Sequence, residues 1–187
     1  MAPRSLINLE KVTLDYGKGP VLNEVSLGIS EDSRIGVVGR NGGGKSSLIR
    51  VFSGAELPHS GRVSVSGGTR IGTLTQIDVA DPHSTVRDIV MGDMQDYEWA
   101  SNARVREVLE GLFGGFSEEI LSRTMGPLSG GERRRVALAA LLISDLDVLF
   151  LDEPTNHLDV EAVAWLADHL KSRRNLSLIV VTHDRWF

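Results

Sequence analysis

The sequence predicts an α/β fold: a mainly parallel sheet, an antiparallel β layer at the amino end and a helical insertion between sheet-forming segments. Three observations carry this. Apolar and polar residues alternate from Leu6 to Tyr16 and from Val25 to Ile29, the period-two mark of half-buried antiparallel strands. Val148 to Leu151 and Leu178 to Val181 are continuous apolar runs, as expected of strands covered on both faces. Gly39 to Ser46 fits G-x-x-x-x-G-K-[ST] and lies between the apolar run Ile35 to Val38 and a helix-like stretch, Ser47 to Phe52.

Taken in order, Gly17, Gly19 and Pro20 mark a turn after Tyr16. The helix behind the glycine loop ends near Gly54, and 61–66 and 70–75 read as further strands, the second stopping at Gln76. Asp81-Pro82 breaks the pattern. From Thr85 to Leu121 the reading is helical: Thr85 and Asp88 form a capping box, and Val105, Val108, Leu109, Leu112 and Phe113 recur with helical spacing. Ser129 and Glu132 form a second box, opening a helix that runs through Arg133-Arg134-Arg135 to about Ile143. Those arginines fan at about 100° per residue, so one basic patch cannot hold them and most are expected in solvent. Asp159 precedes an amphipathic helix whose apolar positions are Val163, Leu166, Ala167 and Leu170.

Gly39, Arg40, Asn41, Gly42, Gly43, Gly44, Lys45 and Ser46 form a phosphate loop. Its glycines let successive N–H groups point inward, and the helix behind adds its positive dipole end. Lys45 then faces the outer phosphates, and the Ser46 hydroxyl is a ligand for a Mg2+ that bridges two of them. Asp152 and Glu153 follow a buried strand: the first is placed to hold the Mg2+ hydration shell, the second to take a proton from attacking water. In parallel sheets ligands sit beyond the carboxyl ends of the strands. The loop, Gln76, Asp152-Glu153 and His183 each end an apolar run, so one pocket collects them around a triphosphate. A lone His after a strand is usually structural; in this set it reads as a contact to the terminal phosphate. Tyr16 either stacks on a base or covers the sheet edge.

Composition bounds the rest. A chain of 187 residues is enough for one ordinary domain. Lys and Arg number 20 against 25 Asp and Glu, a formal charge of −5, which argues against a whole-surface nucleic-acid binder. There are no cysteines, which excludes disulfides and thiolate metal sites and suits the cytoplasm. The longest apolar run, Val136 to Ile143, is far below the roughly 18 residues of a membrane span, so no membrane insertion is expected.

In this order Tyr16, the phosphate loop, Gln76, Leu128-Ser129-Gly130-Gly131-Glu132, Phe150-Leu151-Asp152-Glu153-Pro154 and His183 resemble the nucleotide-binding domain of ATP-binding-cassette (ABC) proteins, over essentially the whole chain. The resemblance implies a P-loop NTPase, RecA-like core over 34–60 and 128–187, an antiparallel β subdomain over 1–33 plus 61–75, and a helical subdomain over 77–127. It implies an ATPase with ATP and Mg2+. Tyr16 would be the adenine-stacking aromatic, and Gly39 to Ser47, including Ser47, the phosphate cradle. Ser46, Gln76 and Asp152 would be the Mg2+ residues, Glu153 the catalytic base and His183 the switch histidine. Ser129, Gly130 and Gly131 would contact the γ-phosphate of a second cassette, with Asp159 in the loop coupling the two sites.

Pro154-Thr155-Asn156-His157-Leu158-Asp159 and Thr182 to Phe187 further resemble the ABC-F group of soluble paired-cassette proteins that act on ribosomes, as do Glu132 and the arginines after it. That implies the first cassette of a longer protein, incomplete at its C-terminal end, with the ribosome and tRNA as partners. The alternatives are the nucleotide-binding subunit of a transporter and a module that binds nucleotide without hydrolysing it; Glu153, Gln76 and His183 speak against the latter.

Overall fold

The computed structural model describes residues 3–74, 81–115 and 117–182. The chain divides into two compact units. The first holds two sheets. β1 (Ser5–Asp15) pairs antiparallel with β2 (Pro20–Ser30) and with β4 (Ser60–Val65), in the order β2-β1-β4. The alternation seen in the sequence is the reason: Ile7, Leu9, Val12 and Leu14 are all buried, as is Ile29 opposite Ile7.

The second sheet is wholly parallel. β3 (Arg34–Val37), β5 (Ile71–Leu74), β6 (Val148–Asp152) and β7 (Ser177–Val181) run in the order β3-β7-β6-β5. Every residue of β6 and β7 is buried, which is what their unbroken apolar composition requires. Assigning 61–75 as a block to the antiparallel layer is corrected here: β4 belongs to that layer, but β5 pairs parallel with β6, Ile71 opposite Val148. Gly67 and Gly68, between the two strands, are where the chain passes from one sheet to the other. α1 (Lys45–Phe52) contributes Ile49, Val51 and Phe52 to a core shared with β1, β2, β6 and β7, where Phe52 stacks on Phe150 at 5.8 Å.

The second unit is helical: α2 (Val86–Met91), α3 (Asp96–Ser101), α4 (Ala103–Phe113), α5 (Glu118–Leu121), α6 (Gly130–Ile143) and α7 (Val160–Ser172). The helical reading of 85–121 resolves into short pieces, because Gly92 and Gly114 end α2 and α4 and only Gly tolerates such backbone cheaply. Both capping boxes form. Thr85 Oγ1 accepts from the Asp88 N–H at 3.1 Å, and the Asp88 carboxylate accepts from the Thr85 N–H at 2.8 Å. Val105, Val108, Leu109 and Leu112 line the buried face of α4, and Ala162, Leu166, His169 and Leu170 that of α7. His169, absent from the predicted apolar face, is buried against Trp165 and accepted there because Glu107 meets its Nδ1 at 2.9 Å. No helix among the described residues is long and apolar enough to cross a membrane.

Asp147 holds the start of β5 to that of β6. Its carboxylate accepts from the Arg70 backbone N–H at 2.7 Å and from Nε and Nη2 at 3.2 and 2.9 Å. These bonds, the side-chain ones foremost, hold the Asp147 carboxyl below its ordinary pKa. A depressed carboxyl stabilises the fold above its unfolded pKa and loses that contribution as pH falls through the folded value. Asp147→Asn is therefore expected to cost about 1 kcal/mol at neutral pH, a solvent-screened figure. In chemical denaturation the gap to the parent should close as the pH is taken down through the carboxylate range.

Candidate functional site

The site is built on the carboxyl ends of the parallel strands. Val37 of β3 pairs with Val181 of β7, and Val181 pairs with Asp152 of β6. Those three residues stand level, so the start of the phosphate loop and Asp152 are separated by two strand spacings, on the order of 10 Å. The Glu153 N–H then donates to the Val181 carbonyl at 2.8 Å, extending the ladder past the end of β6. Asp152 is 4% exposed, which makes it a buried strand-end acid as the sequence indicates. Glu153 adopts φ 50°, a left-handed conformation that costs a non-glycine residue about 1–2 kcal/mol and that gathers at functional sites.

β3 ends one residue before Val38, which is 82% exposed, and the loop Gly39 to Gly44 leads into α1. The helix begins at Lys45, two residues earlier than its apolar pattern suggests. Gly44 is its N-cap, at φ 85°, and offers no side chain to the first turn; no acidic residue stands there either. By contrast Thr85, Asn102, Ser117, Ser129 and Asp159 each lend a side-chain oxygen to the helix they open. The first N–H groups of α1 thus lack the partner those helices have, at the end where the dipole is positive. Lys45 Nζ donates to the Gly39 and Arg40 carbonyls at 2.9 and 3.1 Å, so the ammonium lies across its own loop. The Gly43 N–H closes a turn on the Arg40 carbonyl at 3.1 Å. A Cβ at Gly44 would come within 2.8 Å of Val21 Cγ1 and the Val21 carbonyl, so backbone angle and space both demand glycine.

The Ser46 hydroxyl, in the first turn of α1, and the Asp152 carboxylate, at the end of β6, are oxygens that could hold a cation. Among the described residues no group of three or more His, Cys, Asp or Glu converges on a point. A pair of oxygen ligands completed by phosphate and water is the set that suits Mg2+, which keeps several waters and is bound through few protein groups. Ser47 is buried, and its Oγ is met by Arg50 Nη2 at 3.2 Å and by the Tyr16 hydroxyl at 3.4 Å. Tyr16, half exposed, stands at the end of β1. Gln76 and His183 lie outside the described residues.

In the helical unit, Ser129 Oγ accepts from the Glu132 N–H at 3.3 Å and Glu132 Oε2 accepts from the Ser129 N–H at 2.8 Å. The Ser129 backbone N–H, and after it the Ser129 hydroxyl donating to Glu132 Oε2 at 2.8 Å, hold the Glu132 carboxyl below its ordinary range, with Arg123 at 3.0 Å adding to it. Gly130 has open space beside it, whereas a Cβ at Gly131 would fall 2.9 Å from that of His157. The expectation that most arginines of α6 are solvated is corrected. Arg133 donates to the Leu128 and Gly126 carbonyls at 3.0 and 2.7 Å. Arg135 donates to the Leu112 and His157 carbonyls at 3.2 and 3.1 Å, with Asp159 Oδ2 at 3.9 Å, and all of Arg133 to Arg135 are half-buried. Loop carbonyls and one in the last turn of α4 recruit them, since main-chain acceptors outside the ladders need donors. The Asp159 carboxylate caps α7 through the Ala162 N–H at 2.8 Å. The contacts of Arg50 to Tyr16 and of Arg135 to Leu112 and His157 have no local signal in the sequence, because those partners are far along the chain.

A strand, a glycine loop, a helix opened without a side-chain cap and a buried acidic strand end two strands away define a P-loop NTPase fold. The chain belongs to the ABC transporter family, whose profile matches residues 22–156. It is 36% identical to the tylosin resistance ATP-binding protein TlrC of Streptomyces fradiae, over 100% of this chain and 41% of that protein. It is 35% identical to the energy-dependent translational throttle protein EttA of Mycobacterium tuberculosis, over 97% of this chain and 38% of that one. The chain thus spans about two fifths of the curated relatives' length. Among solved structures it is similar to the dimeric ATP-binding cassette MJ0796 in a post-hydrolysis state bound to ADP and Pi, with a TM-score of 0.79 and 25% identity over 96% of this chain and 88% of that one. An archaeal ribosome recycling factor, aABCE1, solved with the ribosomal stalk protein aP1, aligns with a TM-score of 0.78 and 27% identity over 97% of this chain and 34% of that one.

Gly44→Ala should be the most damaging single-methyl change in the loop. It is expected to lower stability by at least about 1–2 kcal/mol, the cost of a left-handed alanine, read as a shift in denaturation midpoint at unchanged slope.

Proposed function

We propose that this chain is an ATP-binding, Mg2+-dependent ATP-hydrolysing cassette of ABC-F type, whose closure on a second cassette acts on the ribosome. The observation that carries the nucleotide reading is a start of α1 with no side-chain cap, opened by Lys45 and reached from a strand whose end, Val37, stands level with the buried Asp152, next to a strained Glu153. Gly39 to Ser47 bind the phosphates through backbone N–H groups and the Lys45 charge. Ser46 and Asp152, with Gln76, hold Mg2+, which when bound neutralises charge on two phosphates. Glu153 accepts the proton of the attacking water, and His183 contacts the terminal phosphate. Tyr16 stacks on the base.

Ser129, Gly130 and Gly131 complete the site of a partner cassette, and Asp159 couples the two. The dimeric state of the similar cassette with ADP and Pi supports that pairing. The ribosomal role is supported by relatives named for translational throttling and tylosin resistance and by the likeness to a ribosome recycling factor. It is also supported by the Thr155 to Asp159 segment. The cytoplasm is where such a protein would work.

Lys45→Ala should abolish tight ATP binding, whereas Glu153→Gln should keep it and slow turnover about 10²- to 10⁴-fold, the usual worth of a general base. A near-parental rate for Glu153→Gln would place the base elsewhere. The cellular role is read by fractionation: with ATP, the Glu153→Gln protein in its full natural length should pellet with ribosomes. Sedimentation with membranes would favour a transporter subunit instead.

A further inference from the structure

Tyr16 is 52% exposed as a residue, but its hydroxyl is engaged by charged partners. It donates to the Glu56 carboxylate, whose oxygens stand at 2.7 and 2.8 Å, and accepts from Arg50 Nη2 at 3.0 Å. Arg50 closes the circuit, with Nε on Glu56 Oε2 at 2.9 Å and Nη2 on Ser47 Oγ at 3.2 Å. Arg50 and Ser47 belong to α1 and Glu56 to the loop after it. A ring of hydrogen bonds therefore ties the aromatic to the helix that carries the phosphate loop. Its charges are balanced: the Tyr16 hydroxyl is the first cause holding the Glu56 carboxyl below its ordinary pKa, and Glu56 the first cause raising that of Arg50.

A phenol has one proton to give, and here a carboxylate takes it while a guanidinium occupies a lone pair. With both capacities used by charged partners, the bonds are of the stronger kind and the ring cannot swing without breaking them. Such a lock is not needed to keep a half-exposed tyrosine folded against a sheet edge. It is what a flat ligand that stacks on that ring requires, since ordering a free side chain on binding costs affinity.

We propose that Arg50 and Glu56 are positioning residues that hold the Tyr16 ring as a stacking face for the base of a purine nucleoside triphosphate, in fixed relation to the phosphate loop. The proposal rests on the nucleotide reading above and assigns to these residues the share of affinity that comes from the base. A ligand with the same phosphates and no base does not touch the ring, so it reports on the phosphate loop alone.

The test is calorimetric titration of the parent and variants with Mg2+-ATP and with Mg2+-tripolyphosphate. Glu56→Ala and Arg50→Ala should raise the Kd for ATP about tenfold, within the range for a lost charge-assisted hydrogen bond, and leave that for tripolyphosphate within about twofold. Glu56→Gln, which still accepts from the phenol, should recover part of the loss. Adding Glu56→Ala to Tyr16→Phe should raise the ATP Kd no further than Tyr16→Phe alone, because both cut the same bond. Unaltered ATP affinity in Glu56→Ala overturns the proposal, as does equal weakening of both ligands, which would mark a merely structural role. Unchanged tripolyphosphate affinity in Lys45→Ala would instead overturn the phosphate-loop reading beneath it.

Discussion

Among the described residues, the backbone N–H groups at the start of α1 receive no N-cap side chain, and the neighbouring residues are arranged to keep it so. A helix end normally recruits an oxygen, and most of the other helices in this protein do. Here Gly44 occupies the capping position, where Val21 leaves no room for a Cβ. An anion therefore becomes the best available cap. Lys45, folded over its own loop carbonyls, adds charge to the same place. The parallel register completes the arrangement by bringing Val37, Val181 and Asp152 level, so that phosphate loop and carboxylates are presented by one rigid edge.

The helical unit solves the opposite problem. Carbonyls in the loops around α6 and in the last turn of α4 need donors, and arginines supply them. Arg133 takes the carbonyls of Gly126 and Leu128, and Arg135 those of Leu112 and His157. Ser129 and Glu132 cap the helix reciprocally, and Gly131 is bare because His157 packs against it. Arginines expected in solvent are thus scaffolding, Arg133 for the loop that leads into α6 and Arg135 for the turn 155–159. Gly111 is bare for a similar reason, since Trp165 lies against it.

Features with a short reach were readable in advance. The strands alternate or run apolar according to how many faces they bury, and both capping boxes join residues three apart. The phosphate loop is legible because its chemistry is backbone chemistry, dictated by where glycine is allowed. What escaped the reading depends on distant partners. Tyr16 meets Arg50 and Glu56 across 34 and 40 residues, and nothing local to any of them announces it. His169 is buried through Glu107, 62 residues away. The placement of β5 in the parallel sheet depends on its pairing with β6, and Arg70 finds Asp147 across 77 residues.

The sequence by itself determined the α/β class, the phosphate loop, the acidic end of β6 and the capped start of α6, because each is specified by residues within one turn or one strand. Only the tertiary structure decided which half of 61–75 joins which sheet, where the arginines of α6 point, and that the Tyr16 hydroxyl is pinned to the phosphate-loop helix. Those outcomes turn on hydrogen bonds between groups far apart in the chain, whose energies are felt only once burial has removed the water that would otherwise satisfy them.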